Sequence, residues 1–268
     1  MAGGADPKGG GRIPGVVRTE AVVLHSRDQG EADREVLLLT RDFGKVWAQV
    51  RGARKIASRL AGSLEPFSTL EVNLYRGPSR NTVTGAFGAE AYQGLREDLL
   101  RYSAALVVSE LVEALVPRED VTQGLFALVV GGLDLIARAG DVDLALDLVV
   151  AKMLVLMGYA PSLRTCVACG DVVGPEGPYA FSAQLGGVLS GPCTVQAAQM
   201  SPPALRTLTL CAEGRPQSVL NLRIPRTVRN EVRGALWAVV AERAERSLKS
   251  VAFYDRMRQD REARPGPA

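Results

Sequence analysis

Between residues 16 and 87 the apolar positions come in short runs with a period close to two. Leu70, Val72 and Leu74 alternate with Thr69, Glu71 and Asn73, which predicts a half-buried strand over residues 67–75. Similar short runs predict strands at 16–24, 35–40, 45–50 and 82–87, the third following the turn Asp42-Phe43-Gly44. Five short strands with Gly/Pro punctuation fit a small closed barrel, and a sandwich is the competing arrangement. Near Arg96 the period changes. Leu100, Ala104, Val107, Leu111 and Leu115 fall at helical spacing, and Pro117 stops the helix. Residues 124–139 and 142–158 are two further apolar helical segments, the second apolar nearly all round, as in a buried bundle helix. Helical patterning resumes at 203–212 and 226–249. The expected order is therefore an arm (1–15), a β domain (16–92), a helical domain in two parts (93–160 and 201–258) interrupted by a loop-rich insertion (161–200), and a tail (259–268). The class is α+β.

Charge refines this picture. The net charge is only +3. Residues 1–80 hold 13 Lys/Arg against 9 Asp/Glu, and residues 213–264 hold 12 against 7, so the stretch between them is acidic. Two basic ends around an acidic middle suggest a division of labour. Within the first end, Arg51, Arg54, Lys55 and Arg59 lie on a Gly/Ser-threaded segment leaving the third strand, with no acid among them. Clustered cations on small-residue loops suit phosphate; the plain alternative is a solvated surface. Lys45, Arg34, Arg41, Arg76 and Arg80 are further phosphate candidates, with Arg34 also placed to pair with Asp33 or Glu31. Trp47, Phe67 and Tyr75 are either stacking platforms or core.

Other chemistry is sparse. A single histidine, His25, supplies neither a metal site nor a relay, and no phosphate-binding P-loop or nucleophile elbow is present. Asp28, Glu31, Asp33 and Glu35 form an acidic cluster that reads as a solvated turn or, alternatively, a divalent-ion site. No apolar run is long enough to cross a membrane, and residues 1–15 lack the apolar centre of a signal peptide. Four cysteines without a secretory pattern point to a reducing compartment. Cys166-x2-Cys169-Gly170 is a metal-knuckle signature, and its partner knuckle reads Ser190-x2-Cys193. Cys211 lies too far along, inside a helical pattern. Three readings stay open: a three-cysteine zinc site completed by water or Ser190, a metal-free vestige held by turns, and simply reduced thiols.

Three segments, in this order and spacing, carry a family resemblance. They are Phe43-Gly44-Lys45 through Arg51-Gly52-Ala53-Arg54 and Ser58-Arg59-Leu60 to Leu64-Glu65-Pro66-Phe67; Met157-Gly158-Tyr159-Ala160-Pro161 with the Cys166/Cys169 knuckle and Gly186-Gly187; and Arg246-Ser247-Leu248-Lys249-Ser250. The chain resembles the RecO family of bacterial DNA repair and recombination mediators. The resemblance implies a five-stranded N-terminal OB-fold barrel, a helical domain and a zinc-ribbon-like insertion. It also implies binding of single- and double-stranded DNA, annealing of complementary strands, and help in loading recombinase onto DNA coated by single-stranded DNA-binding protein, in the RecF pathway. The implied partners are RecR and the acidic C-terminal tail of single-stranded DNA-binding protein, for which Lys152 or Arg138 would rim an apolar pocket. The implied location is the bacterial cytoplasm, at the nucleoid. Serine at 190 departs from the four-cysteine pattern. Beside this non-enzymatic DNA-binding reading stand two alternatives: a metal-dependent nuclease using the acidic cluster, and a protein-only adaptor.

Overall fold

The computed structural model describes residues 15–52, 62–195, 197–244 and 246–263. The chain divides into two compact units. The first comprises residues up to Ala91 together with Arg118–Val121, and the second comprises Tyr92–Pro117 and Thr122 onward.

The first unit is a closed barrel of five strands, β1 (Gly15–Gln29), β2 (Asp33–Thr40), β3 (Gly44–Val50), β4 (Ser68–Arg76) and β5 (Asn81–Ala91), in the spatial order β1-β2-β3-β5-β4. Every neighbouring pair is antiparallel except β3 and β5, whose parallel pairing through Ala48↔Asn81 and Gln49↔Thr82 closes the barrel. This is the OB-fold arrangement, and the sandwich alternative is set aside. Strand β1 is long because it serves both sides. Gly15–Val22 pair with β4, Ala21–Gln29 pair with β2, and a register shift between Val23 and His25 lets the strand bend.

The interior follows the period-two reading. Val36 and Leu38, Val46, Ala48 and Val50, and Leu70, Val72 and Leu74 point inward around Leu64 and Val83. Val22, Leu37 and Leu39, on the opposite register, are also buried. Continuous apolar runs such as Ala21–Leu24 and Val36–Leu39 are therefore strands buried on both faces. At the β2–β3 turn Gly44 adopts φ +63°, and a Cβ there would meet the Asp120 carbonyl at 2.1 Å. Only glycine lets the Arg118–Val121 segment lie this close to the barrel.

The second unit is helical: α1 (Gln93–Glu97), α2 (Leu99–Leu115), α3 (Leu125–Arg138), α4 (Val142–Leu156), α5 (Pro202–Glu213), α6 (Pro216–Leu220), α7 (Arg226–Ala244) and α8 (Lys249–Ala263). Asp98, Asp141 and Ser201 cap α2, α4 and α5 by accepting backbone N–H bonds in their first turns. Helix α4 is buried from Val142 to Leu154 on nearly every side, as its all-round apolarity predicts, and it packs against α3, α5 and α7. The single helix expected over 226–249 is instead two, α7 and α8. The second runs to Ala263, through residues expected to belong to the tail, because Tyr254 anchors it in the core. Between α4 and α5 lies a three-stranded sheet, β7-β6-β8, made of β6 (Tyr179–Ser182), β7 (Gly187–Ser190) and β8 (Ala198–Met200). With the cysteine knuckle it forms the zinc-ribbon-like insertion.

Candidate functional site

Strand β3 delivers Arg51, the first residue of the basic segment, to one end of the barrel. Its outward positions Trp47 and Gln49 lead to Arg51, which is exposed and has no ion-pair partner among the described residues. Gly52 turns the chain with φ +64°. Arg54, Lys55 and Arg59 lie outside the described residues. Arg80 lies just before β5, whose start pairs with β3 through Ala48↔Asn81; its Nη1 donates to Gln49 Oε1 at 3.0 Å. Gln49 Nε2 in turn donates to Asp33 Oδ2 at 2.7 Å, and the Gly52 N–H donates to Asp33 Oδ1 at 2.8 Å.

The other cations proposed from sequence are differently placed. Lys45 is only 5% exposed and its strand bridges to Arg118, so burial removes it from the phosphate-binding set. Arg34 pairs with Asp28 at 3.2 Å and Glu65 at 3.7 Å, not with Asp33 or Glu31. Arg41 pairs with Glu20 at 2.5 Å. Arg76 pairs with Glu119 at 3.3 Å and covers the Phe43 ring at 4.6 Å. Arg51 and Arg80 are thus the sequence candidates in the described barrel that face solvent with no carboxylate partner.

The aromatic candidates separate as well. Phe67 is 2% exposed with φ +61°, a core residue at a tight corner. Trp47 is half-buried; Arg27 lies over its ring at 4.6 Å and His25 meets it edge-on at 6.1 Å, so one indole face is already covered. Tyr75 is 38% exposed on the outer register of β4. Sequence reading missed Phe87, 49% exposed on β5 beneath Arg18.

The acidic cluster does not converge on an ion. Asp28 binds Arg34, Glu35 binds Arg27 at 2.9 Å, and both oxygens of Asp33 accept the hydrogen bonds above. The nuclease reading loses its proposed metal ligands.

Among the described residues, one group of ligand-bearing side chains lies close enough to share an ion: the sulfurs of Cys166, Cys169 and Cys193, within 4.8 Å of one another. The knuckle turn closes through the Gly170 N–H to the Cys166 carbonyl at 2.9 Å. The backbone N–H groups of Cys169 and Ala168, and from the second knuckle Ser190, point at the Cys166 sulfur and hold its pKa down at about 6 despite burial. At Cys169 the Asp171 N–H pulls the pKa down, but the hydrogen bond to Cys166, burial, the Asp171 carboxylate and Cys193 outweigh it, raising it to about 11. Three soft donors converging on one point, with N–H groups stabilising a thiolate, fit a zinc-type ion, the fourth position falling to Ser190 or water. Cys211 is far from this chemistry: it is buried in α5, and burial pushes its thiol up to about 12.

In the helical unit six of the C-terminal arginines are committed to ion pairs. Arg226 pairs with Glu262, Arg229 with Asp141, Arg233 with Asp143 and Asp147, Arg246 with Glu113, Arg258 with Asp255 and Glu262, and Arg261 with Asp98. Asp98, Glu113, Asp141, Asp143 and Asp147 of the acidic middle are thus counter-charges to arginines of the basic C-terminal end, in keeping with a division of labour between the two ends.

This unit also carries a groove of about 590 Å³ between the insertion and α5, lined by Leu163, Val173, Pro175, Pro202, Leu205 and Leu210 among others, with Arg164 and Arg206 at its edge. Arg164 is held by Glu213, whereas Arg206 is exposed without a partner among the described residues. The cations expected to rim such a pocket are elsewhere. Lys152 Nζ donates to the Ala212 and Gly214 carbonyls at 2.8 and 2.7 Å, capping the C-terminus of α5, and Arg138 pairs with Asp134 at 2.7 Å.

Comparison with known proteins gives two family matches. Residues 15–91 match the family described as "Recombination protein O N terminal", and residues 96–252 match "Recombination protein O C terminal". The chain is 35% identical to the "DNA repair protein RecO" of Pelotomaculum thermopropionicum over 245 residues, covering 90% of this chain and 94% of that one. It is 34% identical to the protein of the same name from Symbiobacterium thermophilum over 90% and 98% of the two chains. The relative from Thermobifida fusca is 35% identical over 89% and 98%.

Proposed function

Because the chain belongs to the RecO family of DNA repair proteins, we propose that it is a non-enzymatic recombination mediator of the RecF pathway. In this role it binds single- and double-stranded DNA, anneals complementary strands, and helps load recombinase onto DNA coated by single-stranded DNA-binding protein, at the nucleoid in the bacterial cytoplasm. The observation that carries the reading is the OB barrel whose β3 exit presents Arg51 and Arg80 without carboxylate partners. OB barrels hold oligonucleotides on this face and its loops. Cations there neutralise phosphates without reading bases. Two strands held against one cationic surface repel each other less, which favours annealing. No helix among the described residues is long and apolar enough to cross a membrane. The test is fluorescence anisotropy with labelled DNA across a salt series. Steep salt dependence without sequence preference supports the reading, and salt-insensitive or sequence-selective binding refutes it.

The partners proposed are RecR and the acidic tail of single-stranded DNA-binding protein. The groove beside α5 suits such a tail because its walls are apolar and Arg206 stands uncommitted at its edge. An Arg206→Glu variant should lose most of its affinity for a tail peptide, and unchanged affinity would move the peptide elsewhere. Cys166, Cys169 and Cys193 would hold a zinc ion that pins the insertion, a structural cross-link with no reacting position required of it.

A further inference from the structure

We infer that Asp33 is a positioning residue for the DNA surface: a carboxylate placed inside a cationic site to fix where the basic segment leaves the barrel. The inference rests on the DNA-binding reading above and deepens it.

Asp33 opens β2, opposite Gln29 of β1, and is half-buried. Its two oxygens are divided between two partners from the end of β3. Oδ2 takes the Gln49 amide, which also receives Arg80, and Oδ1 takes the Gly52 N–H in the turn that follows Arg51. Arg80, Gln49, Asp33 and Gly52 therefore form one hydrogen-bonded chain linking the start of β5, the end of β3 and the start of β2. Gly52 sits at φ +64°, a conformation glycine reaches without steric cost, so the chain can turn here with its N–H on Asp33. The chain has two ends, Arg80 and the Arg51-Gly52 turn, and these carry the two phosphate candidates from sequence that face solvent in the described barrel strands and turns without a carboxylate. A side chain that only balanced charge would be expected to lie against a guanidinium. Among the described residues the partners of Asp33 are an amide and a backbone N–H, whose directions matter, and no guanidinium.

The sign of the effect separates positioning from charge. Removing a carboxylate from a DNA-binding surface strengthens phosphate attraction: a unit charge about 10 Å from a phosphate in water is worth a factor of about two in affinity. If Asp33 merely repels DNA, Asp33→Ala and Asp33→Asn bind about two-fold more tightly and equally. If it positions the segment, both bind more weakly. Asp33→Ala then loses about three- to ten-fold, and the magnitude of its salt slope falls by about 1 as one phosphate contact is lost. Asp33→Asn, which retains one acceptor oxygen for the Gly52 N–H, falls between wild type and Asp33→Ala.

The experiment is anisotropy on the full chain, with Arg51→Ala and Arg80→Ala measured alongside and circular dichroism confirming folding. Weaker binding in the order wild type, Asn, Ala supports the inference. Equal affinities of the two Asp33 variants, or tighter binding by either, overturn it while leaving the DNA reading intact if the arginine variants are impaired. Wild-type binding by both arginine variants refutes the DNA reading at this end of the barrel, and the role of Asp33 with it. Should Asp33→Ala fail to fold, the sign of the Asp33→Asn effect decides alone.

Discussion

Replacing Arg51 and Arg80 together with alanine tests whether the uncommitted cations of the barrel are the phosphate ligands. Each phosphate contact contributes about 0.9 to the salt slope on duplex DNA and about 0.7 on single strands. At 0.15 M salt those slopes correspond to about 5-fold and 4-fold in affinity per contact, so two lost contacts cost about 30-fold on duplex and about 14-fold on single strands. The slope itself should fall by about 1.8 and 1.4. The control is Arg226→Ala with Arg229→Ala. These are also arginines in a basic stretch, but they stand on α7 of the helical unit rather than on the barrel, so both slopes should stay at the wild-type value if the β3 exit holds the phosphates. Anisotropy titrations of wild type and both double variants with one labelled 30-mer, single-stranded and duplex, between about 50 and about 200 mM salt give all the slopes. Equal losses in the two double variants would show that affinity follows total charge rather than position. No loss from Arg51 and Arg80 would refute the assignment outright.

Two further predictions concern the helical unit. Arg233 is 8% exposed, donates to Asp147 at 3.2 Å, pairs with Asp143 at 2.9 Å and lies over the Tyr254 ring at 5.2 Å. Burial outweighs the attraction of Arg233 and raises the Asp147 pKa to about 6, so Asp147 favours the fold when protonated, and that stability is lost as pH rises from about 4 through 6. Arg233→Met strands the carboxylate and should cost about 3–5 kcal/mol at pH 7.5 by urea denaturation, less at pH 5; a deficit below about 1 kcal/mol, or one flat with pH, would contradict this. In the insertion, zinc should co-purify at about one equivalent and leave on chelation faster than from a Ser190→Cys variant, whose fourth thiolate closes the site. Metal present only in Ser190→Cys would show that three thiols do not suffice here.

The features legible in sequence were those written in local periodicity. The alternation of Leu70, Val72 and Leu74 located β4, and the uniform apolarity of residues 142–158 marked α4 as buried. The cysteines met because a short knuckle and a hairpin leave the chain little freedom between them. What stayed hidden depends on partners far apart in sequence. Lys45 looked like any strand-end cation until its strand was found bridged to Arg118. The anchor at Asp33 joins residues 16 and 19 positions downstream, so nothing adjacent to it announces its role. Arg229 and Arg233 find their acids 88 and 86 positions away, and a count of charges by segment carries no sign of that pairing.

Pairing also bears on how a chain of net charge +3 would hold a polyanion in the proposed role. Arg233 and Asp147 lie in a low-dielectric interior, where exchanging partners for a phosphate would leave a carboxylate buried alone. The barrel pairs Arg18–Glu71 and Arg41–Glu20 are instead exposed on both sides. Exposed ion pairs contribute at most about 1 kcal/mol, so a phosphate can displace either carboxylate into water at little cost. The arginines of the two units therefore include some of very different availability. The buried Arg233 helps cement α4, α7 and α8, whereas the exposed barrel arginines Arg18 and Arg41 remain exchangeable beside the uncommitted Arg51 and Arg80. A surface of exchangeable cations makes binding depend on phosphate density and salt rather than on base identity, which is what an annealing surface requires if any two complementary strands are to meet on it.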